Sequence, residues 1–151
     1  MKGSALIFVI VLNSLAIHAQ AQNDSLAVKL SIEKFFVAFN SFQWEPFRES
    51  FTDDATIFFP DWEQASRKSG INEIERTWLE LFPEFRDSTS TLKLNIVPRN
   101  IKLQLYDDTA VVTFHLGNGE KYVARRTLVM VKIEKRWKIA HLHASILFPQ
   151  K

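Results

Sequence analysis

Hydrophobic positions along this chain follow two different periods. From Asp24 to about Asn40, Leu26, Leu30, Phe36 and neighbouring apolar residues recur at helical spacing, with Asp24 placed to cap the start. A short second helix fits Glu45 to Phe51, because Pro46 is tolerated in a first turn. The stretch "TDDATIFFP" reads as a turn and a short strand, Thr56 to Phe59. After a polar loop, Ile71, Ile74, Trp78 and Leu81 mark a third amphipathic helix, stopped near Pro83. From Thr91 the period falls to two. Leu92, Leu94 and Ile96 alternate with Lys93 and Asn95, and Ile101, Leu103 and Leu105 with Lys102 and Gln104. Asp107-Asp108 makes a turn into a strand from Ala110 to Leu116, and "GNGE" (117–120) signals a hairpin. Long strands are expected at Tyr122 to Ile133 and Trp137 to Leu147. Helices gathered early and antiparallel hairpins gathered late predict an α+β domain, with a curved antiparallel sheet packed on about three N-terminal helices.

The first 21 residues follow neither period. Met1-Lys2 precede an apolar run from Ala5 to Ile17, and Ala19-Gln20-Ala21 closes it. A short positive start, a compact apolar stretch and an Ala-x-Ala site are the parts of a secretory signal peptide. The run is shorter than the roughly 20 residues a membrane span needs. The expectation is cleavage after Ala21, a domain over residues 22–151, and a periplasmic or secreted location without membrane attachment. With no cysteine in the chain, neither a lipid-modified cysteine nor a disulfide is open to it. No Pro/Gly/Ser-rich linker or internal repeat divides the remainder, so one domain is expected.

Charge narrows the partners. Removing residues 1–21 takes away Lys2 alone, leaving 18 basic against 17 acidic residues. A surface so balanced gives no reason to expect nucleic acid or anionic membrane. Thirteen phenylalanines and four tryptophans suit a large core, a lined cavity, or both. No Gly-rich loop stands at a strand-to-helix turn, so no nucleotide or flavin cofactor is expected.

Three stretches, "FFVAFNSFQWEPFRESFTDDATIFFP" (35–60), "NIVPRNIKLQLYDDTAVVTFHL" (95–116) and "RRTLVMVKIEKRWKIAHLHAS" (125–145), together resemble the nuclear transport factor 2-like (cystatin-like) superfamily. The likeness is to its small bacterial SnoaL-like domains, and the last stretch is also similar to the association domain of calcium/calmodulin-dependent kinase II. The resemblance implies a conical α+β fold, a pocket between helices and concave sheet, and homodimers through the sheet. It does not imply an activity, since the architecture hosts isomerases, cyclases, dehydratases and binding modules. Residue by residue, the ketosteroid-isomerase scheme is missing. Its general base falls at Phe59, its polarising tyrosine at Phe35, and its protonated Asp near Arg126-Thr127, where no carboxylate stands. SnoaL-type cyclases use an Asp near the end of the sheet, and this chain has no Asp or Glu after Glu134.

The polar groups that remain define the candidates. In "WKIAHLHASI" (137–146), strict alternation puts Trp137, Ile139, His141 and His143 on one face of a strand. The two imidazoles are candidate acid/base groups, which would make the protein a lyase or isomerase of this fold. Metal binding is not expected, because zinc needs a third protein ligand and no recognisable spacing supplies one. The plainer alternative is a polar rim beside Trp137 or a dimer seam. Arg125 and Arg126 point to opposite faces, so at most one faces the cavity. The resemblance to the kinase association domain, which carries a pocket arginine at about this part of the sheet, makes Arg126 the candidate to hold a ligand carboxylate in a bidentate pair. The alternative is a solvated or interface arginine. In "FFPDWEQASRKSG" (58–70), Trp62 is placed to cover an apolar ligand, with Asp61 or Glu63 as a polar contact, or else to anchor its loop. Phe35, Phe39, Phe58, Phe59 and Trp78 are read as core rather than cofactor contacts; if a cavity exists between helices and sheet, Phe35, Phe59 and Trp78, with His143, are the ones expected to line it. The expected role is binding of a small, mainly apolar ligand, with the enzyme and a purely structural dimer as alternatives.

Overall fold

The apolar stripes of the early helices and one face of the late strands close on a single core. A computed structural model describes residues 4–60, 66–87, 91–117 and 122–148, with side chains from Gln20 onward. The helical part comprises α1 (Ser4–Asn40), α2 (Trp44–Glu49), α3 (Ile71–Leu81) and a 3-10 turn at Pro83–Arg86. Strands β1 (Phe51–Phe58), β2 (Lys68–Ser69), β3 (Arg99–Tyr106), β4 (Thr109–Leu116), β5 (Val123–Ile133) and β6 (Arg136–Leu147) form one sheet in the order β2-β1-β6-β5-β4-β3. Every neighbouring pair is antiparallel except β1 with β6. The fold is α+β, three helices on an antiparallel-dominated curved sheet, as the periodicity predicts. Among the described residues no helix is long and apolar enough to cross a membrane.

The helix expected to start at Asp24 already runs from Ser4, so Asp24 is interior to α1 and caps nothing. Its carboxylate instead accepts from Lys132 Nζ on β5 at 2.6 Å and from Gln20 Nε2 at 2.9 Å. The Lys132 bond, chiefly, holds the Asp24 carboxyl below the usual carboxylate range. From Val28 onward α1 buries Ile32, Phe35, Phe36 and Phe39 against the sheet, a 3.6-residue stripe.

Two departures from alternation matter. Residues 91–98 alternate like a strand but belong to no strand of the sheet. Their partner is the last residue of α1: Leu94 N–H donates to the Asn40 carbonyl at 2.8 Å, and Ile96 N–H to Asn40 Oδ1 at 3.0 Å. Asn40 Nδ2 in turn donates to the Ile96 carbonyl at 3.0 Å. One side-chain amide thus stands in for a neighbouring strand. Asn40→Ala is expected to cost about 1–3 kcal/mol, the penalty for orphaning part-buried backbone groups. Amide exchange at Ile96 should accelerate with the loss; unchanged exchange there would contradict the role given to Asn40.

The second departure is a bulge in β6. Met130 pairs with Ile139 but Val129 with His141, leaving Ala140 as an extra residue. Facing is therefore exchanged part-way along the strand. Trp137 and Ile139 are buried before it, Leu142 and Ala144 after it. His141 and His143 consequently lie on the face opposite Trp137 and Ile139, which corrects the strict alternation read from the sequence.

Candidate functional site

The inner face of the sheet, towards the helices, carries one arginine in an otherwise apolar row. On β5, Ala124, Leu128 and Met130 are buried, so Arg126 shares their face and Arg125 the other. Register aligns Phe114, Arg126 and Ala144 across β4, β5 and β6. Arg126 Nη1 donates to the backbone carbonyls of Arg125 at 2.9 Å and Ser145 at 3.3 Å. These bonds fix the plane of the guanidinium. Its other edge, Nε and Nη2, has no hydrogen bond to a described residue, and no described carboxylate pairs with it. Burial lowers the Arg126 pKa, with Tyr122 working against that shift. An arginine keeps its charge regardless, so the half-buried cation is served by an anion.

Arg126 lines a pocket of about 480 Å³ together with Asn95, Ile96, Arg99, Leu116 and Tyr122. That volume lies in the roughly 300–1,000 Å³ range of small-molecule sites. No histidine, aspartate or glutamate is among the described lining residues. Asn95, Arg99 and Tyr122 were not singled out from the sequence. The nearest signal was the "GNGE" hairpin: Gly117 has φ +86°, and a Cβ there would sit 3.1 Å from the Tyr122 ring. The glycine lets the ring lie against the backbone at the pocket.

The other expected lining residues lie elsewhere. Phe35 is 5% exposed and packs against Phe36, Phe39, Phe47 and Phe51. Phe59 meets Trp78 at 5.1 Å, and Trp78 meets Phe39, Phe47 and Phe82 at 5.1–5.3 Å. These rings fill the space between helices and sheet, and Phe35, Phe59 and Trp78 do not reach the Arg126 pocket. Among the described residues the buried Trp78 indole N–H has no nitrogen or oxygen partner; the Phe39 and Phe47 rings stand at 70° and 83° to the Trp78 ring, as in edge-to-face packing. Trp62, Asp61 and Glu63 lie outside the described residues.

His141 and His143 occupy the outer face. His141 Nδ1 lies 2.7 Å from Thr56 Oγ1 on β1, and the Phe58 ring is 5.9 Å from His141 and 5.7 Å from His143. Burial first, then the neighbouring His143 and more weakly Arg67, lowers the His141 pKa, against an upward pull from Thr56. The imidazoles and the Arg126 pocket are therefore separated by the thickness of the sheet. Among the described residues no three His, Cys, Asp or Glu are grouped to hold a metal ion. A larger, shallow groove of about 730 Å³ runs between α1 and the β5–β6 turn, past Leu30, Lys34, Val37, Lys135 and Trp137, away from both features.

A family model described as SnoaL-like domain matches residues 28–149. Among solved structures, the chain is similar to a candidate dehydratase of the NTF2-like family from Streptomyces avermitilis, at 18% identity and TM-score 0.70, covering 85% of this chain and 99% of that one. It is also similar to an NTF2-like protein of unknown function from Pseudomonas putida (17% identity, TM-score 0.66, 82% and 93% covered). A third is a ketosteroid isomerase-like protein from Erwinia carotovora atroseptica (18% identity, TM-score 0.62, 82% and 96% covered). At these identities the structures share the fold with this chain. No curated protein matches it. The chain belongs to the SnoaL-like domain family.

Proposed function

We propose that this SnoaL-like domain binds a small, mainly apolar molecule bearing a carboxylate in the inner-face pocket, the carboxylate lying on the Nε/Nη2 edge of Arg126. The observation that carries the reading is the guanidinium itself. Two backbone carbonyls hold its Nη1, and its fork-shaped edge has no hydrogen bond to a described residue, beside Tyr122 and the apolar Ile96 and Leu116. A planar fork pre-set in this way matches a carboxylate with two parallel hydrogen bonds. Binding is favoured over proton transfer because the described lining offers no carboxylate or imidazole, and His141 and His143 face away. The domain is taken to act outside the cytoplasm after loss of residues 1–21, on the pattern of that segment. A second copy, meeting it through the outer face of the sheet, is the expected protein partner.

Native mass spectrometry of protein purified gently from its own compartment, followed by denaturing identification of what is released, tests the reading. A stoichiometric carboxylic acid of pocket size is the expected result. Ligand-free protein whose melting temperature no member of a monocarboxylate panel raises would overturn it.

A further inference from the structure

The contacts that hold α1 in the fold begin abruptly along its length. Gln20, Ala21, Gln22 and Asn23 are exposed, and the Gln22 side chain has no hydrogen bond to a described residue. Immediately after them, Asp24 is tied to Lys132 on β5 at 2.6 Å, with both side chains more than four-fifths covered. Val28, one turn further on, is wholly buried. Gln20 reaches only Asp24. A cut after Ala21 therefore removes one described side-chain hydrogen bond and leaves the anchored part of α1 whole.

We propose that this cut turns Gln22 into a modification site, whose new α-amine closes on its own side chain to give a pyroglutamyl lactam. The proposal rests on the reading that residues 1–21 are removed, and adds the fate of the end so made. The chemistry lies within one residue. The α-nitrogen and Cδ of Gln22 are separated by Cα, Cβ and Cγ, so a bond between them makes a five-membered ring, with no second molecule to capture. The lone pair of the α-nitrogen attacks Cδ; the N–Cδ bond forms and the Cδ–Nε2 bond breaks. One proton passes from the α-nitrogen to Nε2, which leaves as ammonia. No oxidant, metal or co-substrate enters.

The position of Gln22 favours the step. The attacking amine must be uncharged, and α-amines titrate at about pH 8, so a neutral fraction is present near neutrality. At Gln22 the amine stands at the positive end of the α1 dipole, where an ammonium is disfavoured. The nearest carboxylate along the chain, Asp24, is already engaged by Lys132. The first N–H groups of a helix have no acceptor within it, so closure at Gln22 breaks no bond of the shortened α1. The product takes a positive charge away from that end and denies an aminopeptidase the free amine it needs.

Intact-mass spectrometry of the mature protein, recovered from its own compartment, is the test. The expected mass is that of residues 22–151 less one ammonia. Stepwise degradation from the amino end should be blocked, then read from Asn23 once a pyroglutamyl aminopeptidase has acted. Gln22→Asn, whose shorter side chain would need a four-membered ring, should be cut at the same place, keep its full mass and read from the first cycle. Residues 22–151 at full mass overturn the closure and leave the cut standing. A loss of ammonia that persists in Gln22→Asn also overturns the closure, placing the loss at another amide. A chain that begins at any residue other than Gln22 overturns cut and closure together.

Discussion

Phe47→Ala is expected to destabilise the domain by about 3–5 kcal/mol, the cost of emptying a fully enclosed aromatic site. Phe47 is 0% exposed and touches Phe35, Phe39, Phe51, Trp44, Trp78 and Phe85, ring centroids lying 5.1–5.8 Å away. It is also the buried residue of α2, six residues long and without a side-chain cap. A helix that short has no stability of its own. Its position therefore depends on packing, in which Phe47 is the buried ring and Trp44 lies beside it against Phe85. Removing Phe47 loosens the helix along with the cluster. Urea denaturation and near-ultraviolet dichroism should move together, the first through its midpoint and the second through loss of aromatic signal. Phe47→Leu, which keeps much of the volume, should cost well under half as much. A loss below about 1 kcal/mol for the alanine variant would show that the cluster re-closes around the gap, against close-packed interiors in general.

The second large effect is on binding. Arg126→Met keeps an unbranched stem of similar length while deleting the fork, so the strand pairing around it should persist. For an aromatic or short-chain monocarboxylate that wild type binds, the variant should lose about 2–4 kcal/mol, or roughly 30- to 1,000-fold in Kd by calorimetry. The amide of the same acid should bind wild type about as weakly as the acid binds the variant. Arg126→Lys should fall between, retaining the charge but not the paired geometry. Equal affinity of acid and amide for wild type would remove the guanidinium from the reading, whatever else the pocket holds.

Local spacing carried much of this fold. Ile71, Ile74 and Trp78 define α3 from 71 to 81 without help from elsewhere, and Asp107-Asp108 turns β3 into β4 as its residue types require. Failures came where the partner is distant in sequence. Leu92, Leu94 and Ile96 have the alternation of a strand, but the side chain of Asn40, 56 residues away, satisfies the backbone at Ile96. Ala140 announces no bulge, yet it decides which face His141 and His143 occupy. The pleat told only that Arg125 and Arg126 face opposite ways; that Arg126 shares the inner face with Ala124, Leu128 and Met130 is seen once the helices cover that face. Whether Phe35, Phe59 and Trp78 line a cavity or fill it was not legible either, since a count of rings carries no volume. The helices α1 and α3 and the Phe47 cluster had to be placed before that space was seen to be filled.

The single parallel pairing, β1 against β6, bears on how the chain reaches its native state. Thr56 and His141 are 85 residues apart, and hairpins join β3 to β4, β4 to β5 and β5 to β6 in between. Contacts of such separation form late, because the intervening loop entropy must be overcome before any pairing rewards it. During synthesis β1, though it can already pair with β2, must wait for β6 until residues 136–147 have emerged. The strand that joins β1 to the rest of the sheet is thus the last to be made.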